Sequence, residues 1–388
     1  MEVNNVQTHT YLQETILKLF VEIDLNLSKP LRKMLSALIV CLLENNKAHI
    51  SRLGESLSTG DASAMACIQR IRRFLSNKKL SPLITVVPLL LLMRPLLSKL
   101  PEIVLTMDRT DWEKRRKYIN ILSVAVSYKG RAIPLFWIVL DRKGNSSFEH
   151  WKRVLTPVIE GLQQMEWLSD IPIHVVADRE FASPKLAEWL KKTYGVDATL
   201  RMKASMYLKG EGMPETKIAT LLRKMLKGSR RVLRDQIVTR DSTFKMNVVL
   251  NWGKEYEEAM VVATTLAKPH RADVLYGQRF GIEPMHKDWK TNAFELEKTR
   301  VTDPKRIETL LIPIAFAYIL CVLEGEKKEE TGDVRNPPKG KKRMVGLFLS
   351  GLRTISMYIR RGTIEQFRIF IRILLQPFFT AWKIPAFS

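Results

Sequence analysis

Four residues between Tyr276 and Lys290, in the run Y-G-Q-R-F-G-I-E-P-M-H-K-D-W-K, have types and spacing suited to chemistry on a phosphate. Tyr276, Arg279, Glu283 and Lys290 stand at offsets 0, 3, 7 and 14. At about 100° per residue, one helix would gather them within an arc of roughly 60°. That face would carry a carboxylate, two cations and a phenol. It makes a poor core face and a good one for holding a metal ion beside a phosphate backbone. A solvated amphipathic face has the same pattern, so the choice falls to the rest of the chain. Gly281 and Pro284 bracket Glu283. Pro284 has no N–H to give to the carbonyl of Phe280, so a kink or a fresh helix start is expected there.

Two aspartates complete the candidate set. Asp108, in T-M-D-R-T, follows the β-branched run Ile103 to Met107, and Asp178, in V-A-D-R-E-F, follows the run Ile171 to Ala177. A carboxylate at a strand end sits on rigid backbone and faces solvent, which suits a hard cation. Either aspartate alone reads as a cap or a surface charge. With Glu283 they form an ordered triple. Three carboxylates on separate elements can hold two Mg²⁺ ions, with Mn²⁺ as a substitute. One ion would activate water or a 3′-hydroxyl and the other would stabilise the leaving oxygen of a phosphodiester.

The elements that must position these residues follow from pattern. Residues 11 to 78 read as helical. Ile50 to Leu57, a turn at Ser58-Thr59-Gly60-Asp61, and Ala62 to Leu75 resemble a helix-turn-helix, with Arg70, Arg72 and Arg73 off the apolar stripe. Tyr118 to Tyr128 and Ala132 to Leu140 are expected strands joined by a hairpin turn at Lys129-Gly130-Arg131. Phe148 to Met165 is expected to be a helix, Ile171 to Ala177 a fourth strand, and Ser183-Pro184 the start of another helix. Val196 to Met202 supplies a candidate fifth strand. The order β-β-β-α-β-α-β describes an α/β, ribonuclease-H-like core. Five segments are expected. They are a helical DNA-binding region (1–100), the first part of the core (101–203), a β-rich inserted subdomain (204–268), the second part of the core with Glu283 (269–324), and a linker with a basic helical C-terminal region (325–388).

The chain has 388 residues, a hydrophobic content of 46% and a formal net charge of +23. Such a field favours nucleic acid or an anionic membrane surface. The apolar runs Leu83 to Met93 and Leu310 to Leu323 carry prolines and fall short of the ~20 residues of a span, so no membrane association is expected. Cys41, Cys67 and Cys321 are far apart among apolar neighbours, as in core thiols of a reducing, cytoplasmic compartment.

These residues together resemble the DDE transposases of bacterial insertion sequences, in the subgroup marked Y-x2-R-x3-E-x6-K. Tyr276, Arg279, Glu283 and Lys290 fit that signature position for position. A chance match of four fixed residues is on the order of a few in a thousand. His286-Lys287, Trp289-Lys290 and the D-R-E at Asp178 extend the similarity. The resemblance implies that Asp108, Asp178 and Glu283 are the metal-binding triad. It also implies that Arg279, Lys290 and Lys287 meet DNA phosphates, with Tyr276 in support. Some members hold a flipped base against a Trp in the inserted subdomain, where Trp252 falls here; a Trp buried in a strand is the weightier reading. The implied partner is DNA, both the element's terminal inverted repeats and the target, engaged by a homodimer. An inactive DNA-binding regulator and a structure-selective nuclease on the same fold are the rival readings.

Overall fold

The alternation of apolar runs around residues 103–140 has a direct structural result. In a computed structural model, which describes residues 5–57, 62–114, 116–140, 142–240, 242–332 and 346–381, these runs form three antiparallel strands, β1 (Ile103–Lys114), β2 (Lys117–Tyr128) and β3 (Arg131–Leu140). Lys129 and Gly130 both take positive φ, 45° and 79°, in the β2–β3 turn. That is the backbone a tight hairpin needs. Helix α7 (Phe148–Gln163) leads to β4 (Ile173–Ala177), and α8 (Pro184–Tyr194) leads to β5 (Asp197–Arg201). β4 runs parallel to β1, and β5 parallel to β4. The element order is the one the sequence suggests, inside a mixed α/β molecule with a large central sheet.

One strand-level expectation needs correction. β1 does not end at Asp108. It runs on to Lys114 because β2 continues to pair with it, down to Lys114↔Lys117. What ends before Asp108 is the pairing with β4, whose last pair is Met107↔Ala177. Residues 204–268 are rich in strands, as expected of the inserted stretch. β6 (Tyr207–Gly210), β7 (Met213–Lys217), α9 (Ile218–Arg223), β8 (Arg230–Val238), β9 (Lys245–Asn251) and β10 (Met260–Thr264) extend the central sheet. The whole is a ten-stranded sheet of order β3-β2-β1-β4-β5-β10-β9-β8-β6-β7. β10 accomplishes this by pairing antiparallel with β5 as well as with β9.

Helices α1 (Asn5–Glu22), α2 (Lys29–Asn45), α3 (Ile50–Leu57), α4 (Ala64–Leu75), α5 (Val86–Leu92) and α6 (Arg94–Leu97) precede the sheet. Their apolar faces join the same core as the sheet. Phe20 meets Phe316 edge to face, and the Ala48 N–H donates to the Phe294 carbonyl. The expected turn at 58–61 lies outside the described residues.

After α10 (Ala272–Gly277) and α11 (Ile282–Lys287) comes α12 (Pro304–Glu330). By length and apolarity α12 could cross a membrane, but its apolar window is wholly buried in the protein as a core helix. It also runs on to Glu330, into the expected linker that starts at residue 325. Glu324 and Glu326 are buried rather than solvated, because Tyr358 donates to Glu324 at 3.0 Å and Tyr128 to Glu326 at 2.7 Å. The linker stretch 333–343 lies outside the described residues. α13 (Leu347–Arg360) packs on α12 so closely that a methyl at Gly351 would overlap the Cys321 carbonyl. α14 (Ile364–Ala381) follows. Cys41, Cys67 and Cys321 are buried free thiols.

Candidate active site

The site forms where the β1–β4 pairing stops. Beyond Met107↔Ala177 the two backbones continue as Asp108 and Asp178, so neighbouring strands deliver two carboxylates to one spot. The third arrives by a broken path. The segment from Tyr276 to Lys290 is not one helix. α10 ends at Gly277, a 3₁₀ turn covers Gln278–Gly281, α11 carries Glu283, and a π-type turn spans Asp288–Asn292. The break at Gly281 and Pro284 matches the expected interruption. Gly281 has a packing reason as well: a Cβ there would lie 2.7 Å from the Arg131 carbonyl carbon and 3.0 Å from the Ala132 nitrogen. Only glycine lets this segment rest against β3.

Despite the break, the side chains converge, on Arg279. Its guanidinium donates to Asp108 at 3.1 Å and to Glu283 at 2.9 Å, and stands 3.7 Å from Asp178. Its side chain is 4% exposed, against 52% for Glu283. The resemblance implies a phosphate contact for Arg279; the structure places it inside the triad. Tyr276 is buried and donates its hydroxyl to Asp178 at 2.9 Å. Lys290 turns away from the triad, donating to the Asp111 carbonyl at 2.9 Å and pairing with Glu297 at 3.1 Å. Lys287 is exposed, and with Glu283, Asp108 and Lys290 it lines an open cleft of about 370 Å³.

The electrostatics of the two aspartates differ. Burial pushes Asp108 up to about 6, against the pull of the Arg109 N–H and Arg279. Asp178 also feels burial, yet the Arg179 N–H, Arg279, the Tyr276 hydroxyl and Arg201 together hold it below the usual carboxylate range. Burial raises the Tyr276 phenol to about 12, so it remains a donor. His286, fully buried behind Glu283 and 2.9 Å from Ser123, is driven down to about 3 and stays neutral.

Three carboxylates are a hard oxygen donor set, the chemistry Mg²⁺ and Mn²⁺ prefer. Among the described residues no three acidic, His or Cys side chains already stand close enough to share one ion. The guanidinium between them sets their separation. One Arg279 nitrogen, Nε, is buried without a partner, so part of this cation is unsatisfied where it sits.

Sequence reasoning missed Arg201, 3.6 Å from Asp178, and the bracing pair Arg109 and Glu180. Arg109 donates to both Glu180 oxygens, at 3.1 and 3.0 Å, and Glu180 also accepts from the Ser146 N–H and hydroxyl. The pair ties the residue after Asp108 to the second residue after Asp178. Its signal was visible in D-R-T and D-R-E, where opposite charges flank the two aspartates. Arg70, Arg72 and Arg73 are exposed on α4, off its buried stripe of Cys67, Ile71, Phe74 and Leu75. Trp252 is not a buried strand residue. It follows β9, is half-buried, and lines an open pocket of about 510 Å³ with Arg179, Arg201 and Met225.

Two aspartates from neighbouring strands, a helix-borne glutamate and a buried arginine thus meet on a mixed sheet. Residues 100–320, more than half of the chain, match the Transposase DDE domain family, and the chain belongs to that family. Membership makes it a transposase in general terms, and it implies DNA as partner and dependence on a divalent metal. No curated protein matches the chain.

Proposed function

We infer that the protein is the transposase of an insertion sequence of the Y-x2-R-x3-E-x6-K subgroup, with a ribonuclease-H-like core. It binds the terminal inverted repeats of its element, cleaves at the ends and joins the 3′-ends to target DNA. The observation that supports this most is the convergence of Asp108, Asp178 and Glu283, from three distant segments, on one buried guanidinium. A structural ion-pair cluster needs no such reach across the sheet, and it leaves no carboxylate half exposed as Glu283 is.

In this reading Asp108, Asp178 and Glu283 would hold two divalent ions, which would supply activation of a water or 3′-hydroxyl and stabilisation of the leaving oxygen. The rest of the work belongs to the chain. Tyr276 and Arg201 fix the Asp178 carboxylate, and the Arg109–Glu180 brace keeps the two aspartates in register. Lys287, exposed beside Glu283, faces the scissile strand, where charge accumulates on the phosphorus oxygens. Arg279 exchanges carboxylate contacts for phosphate contacts when ions and DNA arrive. The half-buried Trp252, with three arginines around its pocket, fits a base turned out of the duplex, since indole stacks on any base face and Arg179, Arg201 and Arg223 match its phosphates. The α4 arginines contact end DNA, and the active form on DNA is a homodimer working in the cytoplasm.

The test is cleavage of end DNA by Asp108→Ala, Asp178→Ala and Glu283→Ala. Each should lose Mg²⁺-dependent cleavage and keep end binding. Near-wild-type cleavage by any one of them removes that residue from the triad. Cleavage without strand joining by the wild type would favour the nuclease reading.

A further inference from the structure

A second cleft lies away from the carboxylates, between the α3–α4 pair and the turn entering α12. Its volume is about 660 Å³, larger than that of the cleft at the triad. Arg72 from α4 forms one wall, and Lys298, Arg300 and Arg306 form the other. All four are exposed. Lys298 pairs with Glu295 at 3.3 Å. Among the described residues, Arg72, Arg300 and Arg306 have no carboxylate partner. Asp303 is the one acidic residue in the lining, and it is engaged in capping α12, accepting from the Arg306 N–H at 2.9 Å.

Such a concentration of unpaired cations has a cost. Three guanidinium groups facing one open cleft repel one another, and among the described residues no carboxylate pairs with any of them. An anionic occupant would offset that repulsion. The cleft is polar and open, which excludes a small apolar ligand. Its position narrows the choice further. Lys298 directly follows Glu297, which pairs with Lys290 and lines the triad cleft. One end of the cationic surface therefore starts on α4 and the other meets the active-site rim. A linear polyanion of regular charge spacing fits this path.

We propose that the cleft formed by Arg72, Lys298, Arg300 and Arg306 is a cradle for the sugar–phosphate backbone of duplex DNA. It holds the stretch between the bases met by α4 and the phosphodiester at the carboxylates. This rests on the DNA reading given above and adds to it a contact surface outside the triad and outside the recognition helix. The exposed Met65 and the partly buried Ile68 and Val301 give the sugar edge an apolar floor.

The experiment uses the full chain and a fluorescent mixed-sequence duplex about three helical turns long. Binding is measured across a salt series for the wild type, for Arg300→Gln/Arg306→Gln, and for Arg70→Gln/Arg73→Gln, whose side chains lie outside the cleft. Each phosphate contact contributes about 0.9 to the slope of log K against log salt. The cleft double variant should therefore lose about 1.8 of that slope while its far-ultraviolet circular dichroism and melting midpoint stay unchanged. Hydroxyl-radical footprinting should show protection lost over one contiguous backbone stretch. A wild type that binds DNA and a cleft double variant with the same slope overturn the cradle and leave the transposase reading intact. A wild type with no affinity for duplex overturns both. A polyglutamate titration completes the set: if the substitutions weaken polyglutamate binding and not DNA binding, the cleft serves an acidic protein and the proposal fails.

Discussion

Replacing Arg279 with lysine isolates the role of the guanidinium fork. Arg279 reaches Asp108 through one terminal nitrogen and Glu283 through the other, at 3.1 and 2.9 Å. Lysine offers one nitrogen on a stem that cannot span both. It keeps one of these bonds and loses the other. A hydrogen bond between charged groups contributes about 1.5–3 kcal/mol. The Glu283 side chain is 52% exposed, so solvent screens its share. The expected loss in chelator is therefore about 1–2 kcal/mol. Added Mg²⁺ should narrow the gap, because the ion and Arg279 draw on the same oxygens; at ten times its dissociation constant an ion binding only the folded state contributes about 1.4 kcal/mol. The assay is urea unfolding of the full chain, in chelator and over a Mg²⁺ series, for the wild type and Arg279→Lys. Equal midpoints in chelator would refute the bridging role. A gap that Mg²⁺ leaves untouched would show that the three carboxylates are not where the ion binds.

Gly281→Ala should destabilise the protein by about 1–3 kcal/mol, the usual range for overpacking, because the clash is with backbone of β3 rather than with a flexible side chain. A thermal midpoint equal to the wild type's would contradict the close approach. His174 is buried, hydrogen-bonded to Thr199 at 2.9 Å, and pushed by burial from 6.5 down to about 4. A base with a depressed folded pKa contributes stability that is complete above 6.5 and is lost as pH falls toward 4. The loss should reach up to about 3 kcal/mol over that window. Unfolding free energies of His174→Asn measured from pH 7 to pH 4 should slope less than the wild type's, and parallel curves would exclude His174 as the source.

The sequence was most legible where local chemistry and tertiary structure agree. Val175, Val176 and Ala177 form a buried strand with an aspartate immediately after it, and so does the structure. The hairpin at Lys129-Gly130 announced itself because few residues other than glycine tolerate its backbone. The four-residue signature rested on one helical face with a kink near Pro284. The chain goes further and changes helical type three times, and Gly281 packing on β3 lets Tyr276, Arg279 and Glu283 still meet. Spacing also could not say that Arg279 points inward and Lys290 aside, since both lie on the nominal face. Glu326 misled for another reason. Charged residues read as solvated unless their partners are known, and its partner Tyr128 is 198 residues away. The join between β10 and β5 was invisible for the same kind of reason, since Val262↔Arg201 links the last strand of the inserted stretch to the strand that precedes it.

That join determines how the gene can vary. The inserted stretch leaves the sheet after β5 and comes back as β10 on the very strand it left, with the Met202 N–H bonded to the Val261 carbonyl at 2.9 Å. Its two roots are therefore fastened side by side, while its outermost strand, β7, is a free margin. Insertions at the exposed β6–β7 turn, Glu211 and Gly212, leave the buried Leu208 and Ile218 in place. Excision at the roots would strip β5 of its neighbour and expose an unpaired strand beside the one that carries Asp178, an invitation to aggregate. Length polymorphism among descendants of this chain should accordingly collect at the β6–β7 turn, around Gly210–Met213, and a minimal enzyme made by cutting out 203–264 should be insoluble before it is inactive.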